Sequence, residues 1–307
     1  MNQNVIFQLL QETDINAKYD TEAKKLLSNK EILSRILKHS VDEFKDFSIP
    51  EIIASIEGEP VISKTNVRPG HAPANITGSS NTDKEINEGE ITFDIIFYVI
   101  TPDLEHRKII INIEAQNKYS PGYDLVTRGI FYCARMLSSQ LDREFSHSNY
   151  DDIKKVYSIW ICKDVPNYAR HTITEYKIIP HNLWGNFCSN ARYDLLSVVM
   201  IRLGESDKNE NPLIKLLDTI LSESLTVTDK QKILEKDFGI DKTFDKNGGL
   251  NIMCNLSAGI EEKAIQKGAL MTLYNLYKNN DISLETAAQN ASMTVEEFLA
   301  STKEYTS

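Results

Sequence analysis

The chain has 307 residues, 41% of them hydrophobic and 25% charged, with a formal net charge of −10. That length suits one large domain plus an appendage, and the composition is that of a globular protein with a sizeable core. The acid excess excludes a protein that coats nucleic acid with its whole surface, so a polyanion would have to be held in a local basic groove.

The opening stretch MNQNVIFQLLQETD lacks a basic segment followed by an apolar run, and no stretch approaches the roughly 20 apolar residues of a membrane span. The expectation is a soluble protein with no membrane partner. The four cysteines, Cys133, Cys162, Cys188 and Cys254, stand far apart with no C-x-x-C pair, which favours a reducing cytoplasm over a disulfide framework. The six histidines are equally scattered and offer no helical metal site.

In chain order, residues 21–45 read as a helix with Leu26, Leu33, Ile36 and Leu37 on one side. Ile52, Ile53 and Ile56 suggest a short strand or turn leading to Gly58. Residues 63–88 are rich in Gly, Pro, Asn and Ser and read as a long loop insertion outside the core. Two strands follow, over 90–100 and 108–116, separated by the turn-compatible TPDLEHR. Residues 122–143 form an amphipathic helix with the stripe Val126, Ile130, Cys133, Ala134, Leu137 and Leu141. The β-branched runs 156–162 and 195–201 are further strands, and helices follow near 211–222 and 228–236. DKNGGL, at 245–250, marks a boundary between a domain over 1–245 and a helical extension over 246–307. That extension holds a helix over 255–279 and two short ones, the last opened by a Thr294/Glu297 capping box. The order of elements is that of a mixed α/β fold with a small helical C-terminal unit.

The two strands before the amphipathic helix select their own register. With a turn centred near Leu104, Phe93 faces Ala115, Ile95 faces Ile113, Phe97 faces Ile111 and Val99 faces Ile109, an uninterrupted apolar face. The opposite face then brings Asp94 to Glu114 and Thr92 to Gln116, and a slip of one residue would spoil both faces. Like charges across a ladder cost roughly a few tenths to 1 kcal/mol. A bound hard cation such as Mg²⁺, which takes carboxylate oxygens and keeps waters for phosphate, would offset that cost. The bland alternative is a pair of strand-end acids solvated by water. On the following helix Arg128, Tyr132, Arg135 and Ser139 share a face at helical spacing. Between His106 and Arg135 five Arg/Lys stand against two acids, Glu114 and Asp124, in an otherwise acidic chain. Acids for a metal beside Arg and Tyr donors are the needs of phosphodiester hydrolysis.

The hairpin followed by E-x-Q resembles the PD-(D/E)XK nuclease superfamily, whose pattern is an Asp on one strand and (D/E)-x-K on the next. More narrowly, the stretches YDTEAKKLLSNKEIL, SIPEIIASIEG, INIEAQNKYSPGYDLVTRGIFYCARMLSSQ and KKVYSIWICKDVP resemble the PD-(D/E)XK nuclease family transposases, the Rpn-type recombination-promoting nucleases. The resemblance spans most of residues 19–260. It implies a restriction-endonuclease-like core, a mixed β-sheet flanked by helices, and Mg²⁺-dependent DNA cleavage (Mn²⁺ as a substitute) linked to recombination or mobile elements, in the cytoplasm of a bacterium or phage-associated. Asp94 and Glu114 would ligate the metal with the Ala115 carbonyl, and Asp20 would match an acid of the family's first helix. Gln116 stands where the superfamily has lysine, and an amide can orient a water or phosphate but carries no charge. Lys118 or Arg128 could supply it, with Tyr132 and Arg135 completing the phosphate-binding set. DNA is the expected partner, with RNA open, since a phosphate clamp does not distinguish the sugar. A nuclease-fold binding module without catalysis is the alternative that Gln116 and the net charge keep alive.

ISLETAAQNASMTVEEFLAS has a helix-turn-helix outline, but its second helix would present Glu296 and Glu297 to DNA. From Asn255 to Ser307 seven acids face four lysines. An oligomerisation or packing role fits this tail better than base reading, and a homo-oligomer through the C-terminal helices is the expectation.

Overall fold

A computed structural model of the chain describes residues 17–62, 82–85, 89–103, 105–117, 119–188, 190–204, 211–245 and 248–302. It divides into two compact units, one made of residues 23–249 and the other of the N-terminal residues up to Glu22 together with Leu250 onward. Residues 17–22, read above as part of the larger domain, therefore group with the C-terminal helices.

The expected helix over 21–45 is two helices, α1 (17–27), of which residues 23–27 belong to the larger unit, and α2 (Lys30–Ser40), followed by a 3₁₀ turn at Asp42–Phe44. The break is local chemistry. Asn29 leaves helical geometry and its side chain accepts from the Glu31 N–H, capping α2 and ending any continuous helix. Ile52 and Ile53, read as strand or turn, lie in helix α3 (Ile49–Ser55), because Ser48 and Glu51 form a capping box and Pro50 occupies the first turn. Strand β1 (Ile56–Ile62) follows directly.

The expected strand over 90–100 is broken. Strand β2 (Thr82–Glu85), which falls in the supposed loop insertion, pairs with β3 (Gly89–Thr92) in a separate two-stranded sheet. The rest of that insertion lies outside the described residues. Past a bend at Phe93–Asp94 the chain enters β4 (Ile95–Ile100), which pairs antiparallel with β5 (Lys108–Gln116). The ladder has the register required by the apolar face: Ile95 opposite Ile113, Phe97 opposite Ile111, Val99 opposite Ile109.

Helix α4 (Leu125–Ser138) crosses to β6 (Lys155–Cys162), parallel to β5, and β7 (Thr172–Lys177) and β8 (Leu196–Arg202) complete the sheet. The order is β1-β4-β5-β6-β8-β7, with β5, β6 and β8 parallel and the flanking pairs antiparallel. The fold is mixed α/β, a six-stranded mixed sheet flanked by helices. One face carries Ile95, Phe97, Val99, Ile109, Ile111 and Ile113 of the hairpin together with Tyr157, Ile159, Ile161, Val199 and Ile201, all buried. Phe93, expected on this face opposite Ala115, lies past the end of the ladder and packs on the opposite face, its ring 5.5 Å from that of Tyr132. The Tyr157 hydroxyl on this face donates to Glu43 at 2.7 Å, in the turn after α2. α4 covers the other face, packing on β6 and β8. Helices α5 (Pro212–Leu221) and α6 (Val227–Phe238) end the larger unit.

The apolar stripe expected on α4 is rotated. Leu125, Gly129, Tyr132, Cys133 and Met136 are buried, whereas Ile130, Ala134 and Leu141 are exposed. Gly129 explains the rotation: a Cβ there would stand 2.6 Å from Val198 Cγ1 and 3.0 Å from Trp160 Nε1, so the helix approaches the sheet along its glycine.

Helix α7 (Gly249–Lys278) leads into α8 (Leu284–Asn290) and α9 (Val295–Ser301), and the Thr294/Glu297 capping box is present. Tyr274, Ala287, Ala288 and Phe298 form a small core of their own. Among the described residues no helix is long and apolar enough to cross a membrane.

Gly129→Ala is expected to destabilise the fold by about 1–3 kcal/mol through overpacking against Val198, even though alanine gains about 1 kcal/mol of helix propensity. Urea unfolding of the two proteins checks this, and equal or greater stability of the alanine form would refute the close-packing account.

Candidate functional site

The site is built where the β4–β5 ladder ends. Beyond the Ile95–Ile113 pair the strands no longer exchange ladder bonds, and Asp94 takes their place with both its backbone and its side chain. Its N–H donates to Glu114 Oε1 at 3.1 Å, and its Oδ2 accepts from the Ala115 N–H at 3.1 Å. The N–H and C=O of one strand residue point to the same side, so the Ala115 carbonyl is directed to the gap that Asp94 fills. Consistently, the Gln116 carbonyl points the other way and accepts from the Lys163 N–H at 2.9 Å, on the β6 side. Asp94, Glu114 and Ala115, three expected members of the site, therefore converge. Thr92, expected across from Gln116, pairs instead with Thr82.

Lys24 of α1 adds a group that sequence reasoning did not place here. Its Nζ lies 2.9 Å from Asp94 Oδ1, and its side chain is 7% exposed. Glu114 is 5% exposed, and burial, followed by the charge of Asp94, pushes its carboxyl well above the usual carboxylate range. The Asp94 N–H and the Arg128 charge pull in the opposite direction without reversing it.

α4 brings the phosphate side. The Arg128 guanidinium donates through Nε to the Tyr132 hydroxyl at 3.2 Å and through Nη1 to the Tyr123 hydroxyl at 2.7 Å. It lies over the Trp160 ring at 5.3 Å, and Trp160 is the parallel-ladder neighbour of Glu114. The ring is itself fixed, because Trp160 Nε1 donates to Ser158 Oγ at 2.9 Å, and Asn112 Nδ2 donates to the same oxygen at 3.3 Å. Burial raises the Tyr132 hydroxyl, and the Glu114 charge adds to it. Thus Arg128 and Tyr132 are brought to the carboxylates. Arg135 is not offered to solvent as expected, being 3% exposed, because the rotation of α4 carries it inward. Lys118 lies outside the described residues. Asp20 is in α1, within the smaller unit.

Among the described residues no group of three or more His, Cys, Asp or Glu side chains is placed to share a metal ion. A metal at this site would rest on two carboxylates and a carbonyl. That donor set matches Mg²⁺, which keeps most of its waters and takes one or two carboxylates, better than zinc or calcium. A neighbouring cavity of about 600 Å³ opens past the carboxyl ends of β6 and β8. Its lining mixes Lys163 and Arg170 with Asp164, Asp218 and Glu223, so it has no evident preference for an anion.

No family model, no curated protein and no solved structure matches the chain.

A carboxyl whose folded pKa lies above its unfolded value binds its proton more tightly in the folded state. Its contribution to stability is then greatest below the unfolded value of 4.5 and falls as pH rises above it. In chelator-treated buffer, Glu114→Gln should raise the melting temperature at about pH 8 and leave it nearly unchanged at about pH 4, where the carboxyl is protonated anyway. Scanning calorimetry at both pH values tests this, and a lower melting temperature at the higher pH would contradict the assignment.

Proposed function

We propose that the chain is a divalent-metal-dependent endonuclease of the PD-(D/E)XK type that hydrolyses phosphodiester bonds in DNA. The observation that carries this reading is the convergence of Asp94, Glu114 and the Ala115 carbonyl on one gap at the end of the β4–β5 ladder, beside Arg128. The element order supports it: helices, then the antiparallel β1, β4 and β5, then crossover helix α4 and parallel β6, agree with the arrangement expected of a restriction-endonuclease-like core.

In this reading Asp94 and Glu114 hold the metal and the Ala115 carbonyl adds an oxygen. Bound there, Mg²⁺ would polarise a phosphoryl oxygen and lower the pKa of a water. Arg128 offers its guanidinium to the phosphate, oriented by Tyr123 and Tyr132, and stabilises charge as it grows on the phosphoryl oxygens. Gln116 orients the attacking water through its amide. The water oxygen bonds to phosphorus as one ester P–O bond breaks, and its protons pass to the leaving oxygen and to solvent.

A non-catalytic nucleic-acid-binding module is the second reading, favoured by two observations: the uncharged Gln116 and the ammonium already paired with Asp94. Supercoiled plasmid and a structured RNA, incubated side by side with Mg²⁺ or Mn²⁺, separate the readings and choose the substrate. Nicking of plasmid by the wild type is expected, with Glu114→Ala and Asp94→Asn reducing it by at least about a hundredfold. A wild-type protein that binds DNA but cleaves neither polymer with either metal would establish the second reading.

A further inference from the structure

Arg128 is the one cation so far assigned to the phosphate. A phosphodiester gains negative charge as it reaches its transition state, and positive groups fixed at that point are worth most in a site shielded from water. Gln116, on the strand that carries Glu114, brings none. Arg128 is tied to two phenol hydroxyls and stacked over rings. A second cation nevertheless reaches the carboxylates from outside the sheet, through α1: Lys24, whose side chain is almost fully buried and whose Nζ lies 2.9 Å from Asp94 Oδ1.

Building on the nuclease reading, we infer that Lys24 is a functional group of this site, the resident cation of Asp94 that a divalent metal displaces and that then pairs with a non-bridging oxygen of the substrate phosphate. Two considerations support it. Asp94 Oδ2 is engaged by the Ala115 N–H, so a metal entering the gap meets Oδ1, the oxygen that Lys24 holds. An ammonium is also a compact charge with three donors on a flexible stem, able to change partner without moving the helix that carries it. No proton leaves or joins Lys24 in this exchange, which is a change of ion-pair partner only.

The test uses the full chain, with Mn²⁺ as the calorimetric probe and plasmid cleavage as a second readout. Lys24→Gln should bind Mn²⁺ several-fold more tightly than the wild type, because the competing ammonium is gone. It should nevertheless turn over about a hundredfold more slowly with little change in KM. Lys24→Gln combined with Gln116→Lys, which returns the charge from β5, should recover part of the lost turnover. Unchanged or weaker Mn²⁺ binding by a folded Lys24→Gln protein would overturn the inference, as would tighter binding with undiminished turnover. Lys24→Met, which keeps the aliphatic stem, serves in the same assays where Lys24→Gln fails to fold. Should the wild type cleave nothing, the nuclease reading falls together with the phosphate role, and the displacement of Lys24 is decided by the Mn²⁺ titration alone.

Discussion

The end of the ladder between β4 and β5 is the constraint on which the rest of the site depends. A ladder that ran on would pair Ala115 with Phe93 and consume the Ala115 backbone groups in strand pairing. It stops after Ile95 and Ile113, and there the Asp94 N–H donates to Glu114 and the Ala115 N–H to the Asp94 carboxylate. The two carboxyls are thereby held together by the chain itself. Burial first, and then the mutual repulsion that a solvated strand end would relieve by splaying, push the Glu114 carboxyl above the usual carboxylate range. The bland picture of two acids with their heads in water does not describe a carboxyl 5% exposed.

The second dependency is on α4. Its approach along Gly129 sets its rotation, and that rotation puts Tyr132 and Arg128, not Ile130, towards the sheet. The close contact falls on Val198 and Trp160, so the same packing that seats the helix also sets the ring on which Arg128 lies. Packing and site electrostatics are coupled here through one glycine. A helix seated on a larger residue would stand further off and take the guanidinium with it.

What could be read from the sequence divides along physical lines. The β4–β5 register was legible because a period-two apolar face tolerates no slip, and the runs of β6 and β8 because buried parallel strands are continuously apolar. The break at Asp94 was not, since Thr92 just before it pairs with Thr82, which lies in the stretch 63–88 whose composition reads only as loop. The α4 rotation was not legible either: the apolar stripe pointed to Ile130, and the reason for its exposure lies on β8. Strand β7, whose residues alternate between Thr and mixed polar partners, is an edge strand with too little burial to print an apolar pattern. The capping boxes of α3 and α9 were equally present in the sequence, and only the second was used. Lys24 lay in plain view on a helix, but an ion pair between that helix and a strand end far along the chain is a tertiary fact with no local signature.

The charge arrangement also bears on how such a chain could hold a polyanion at all. With a net charge of −10 the protein repels nucleic acid at long range, and screening confines any attraction to within about 10 Å of a local cation at ordinary salt. Several cations near the sheet's carboxyl edge are already committed: Lys24 to Asp94, Lys163 to Glu223, Arg128 to two tyrosines. A phosphate must therefore exchange with these partners instead of adding to them, and each exchange returns only part of its Coulombic gain. Tyrosine hydroxyls are neutral and cost least to leave, so on the nuclease reading Arg128 would be the cation best placed to receive a phosphate first. A divalent metal held by Asp94 and Glu114 would change this balance, since it would neutralise the carboxylates that compete with the phosphate and add positive charge at the point of contact. In such a site, metal and nucleic acid would be bound cooperatively, and the acidic exterior would keep unproductive, metal-free association weak.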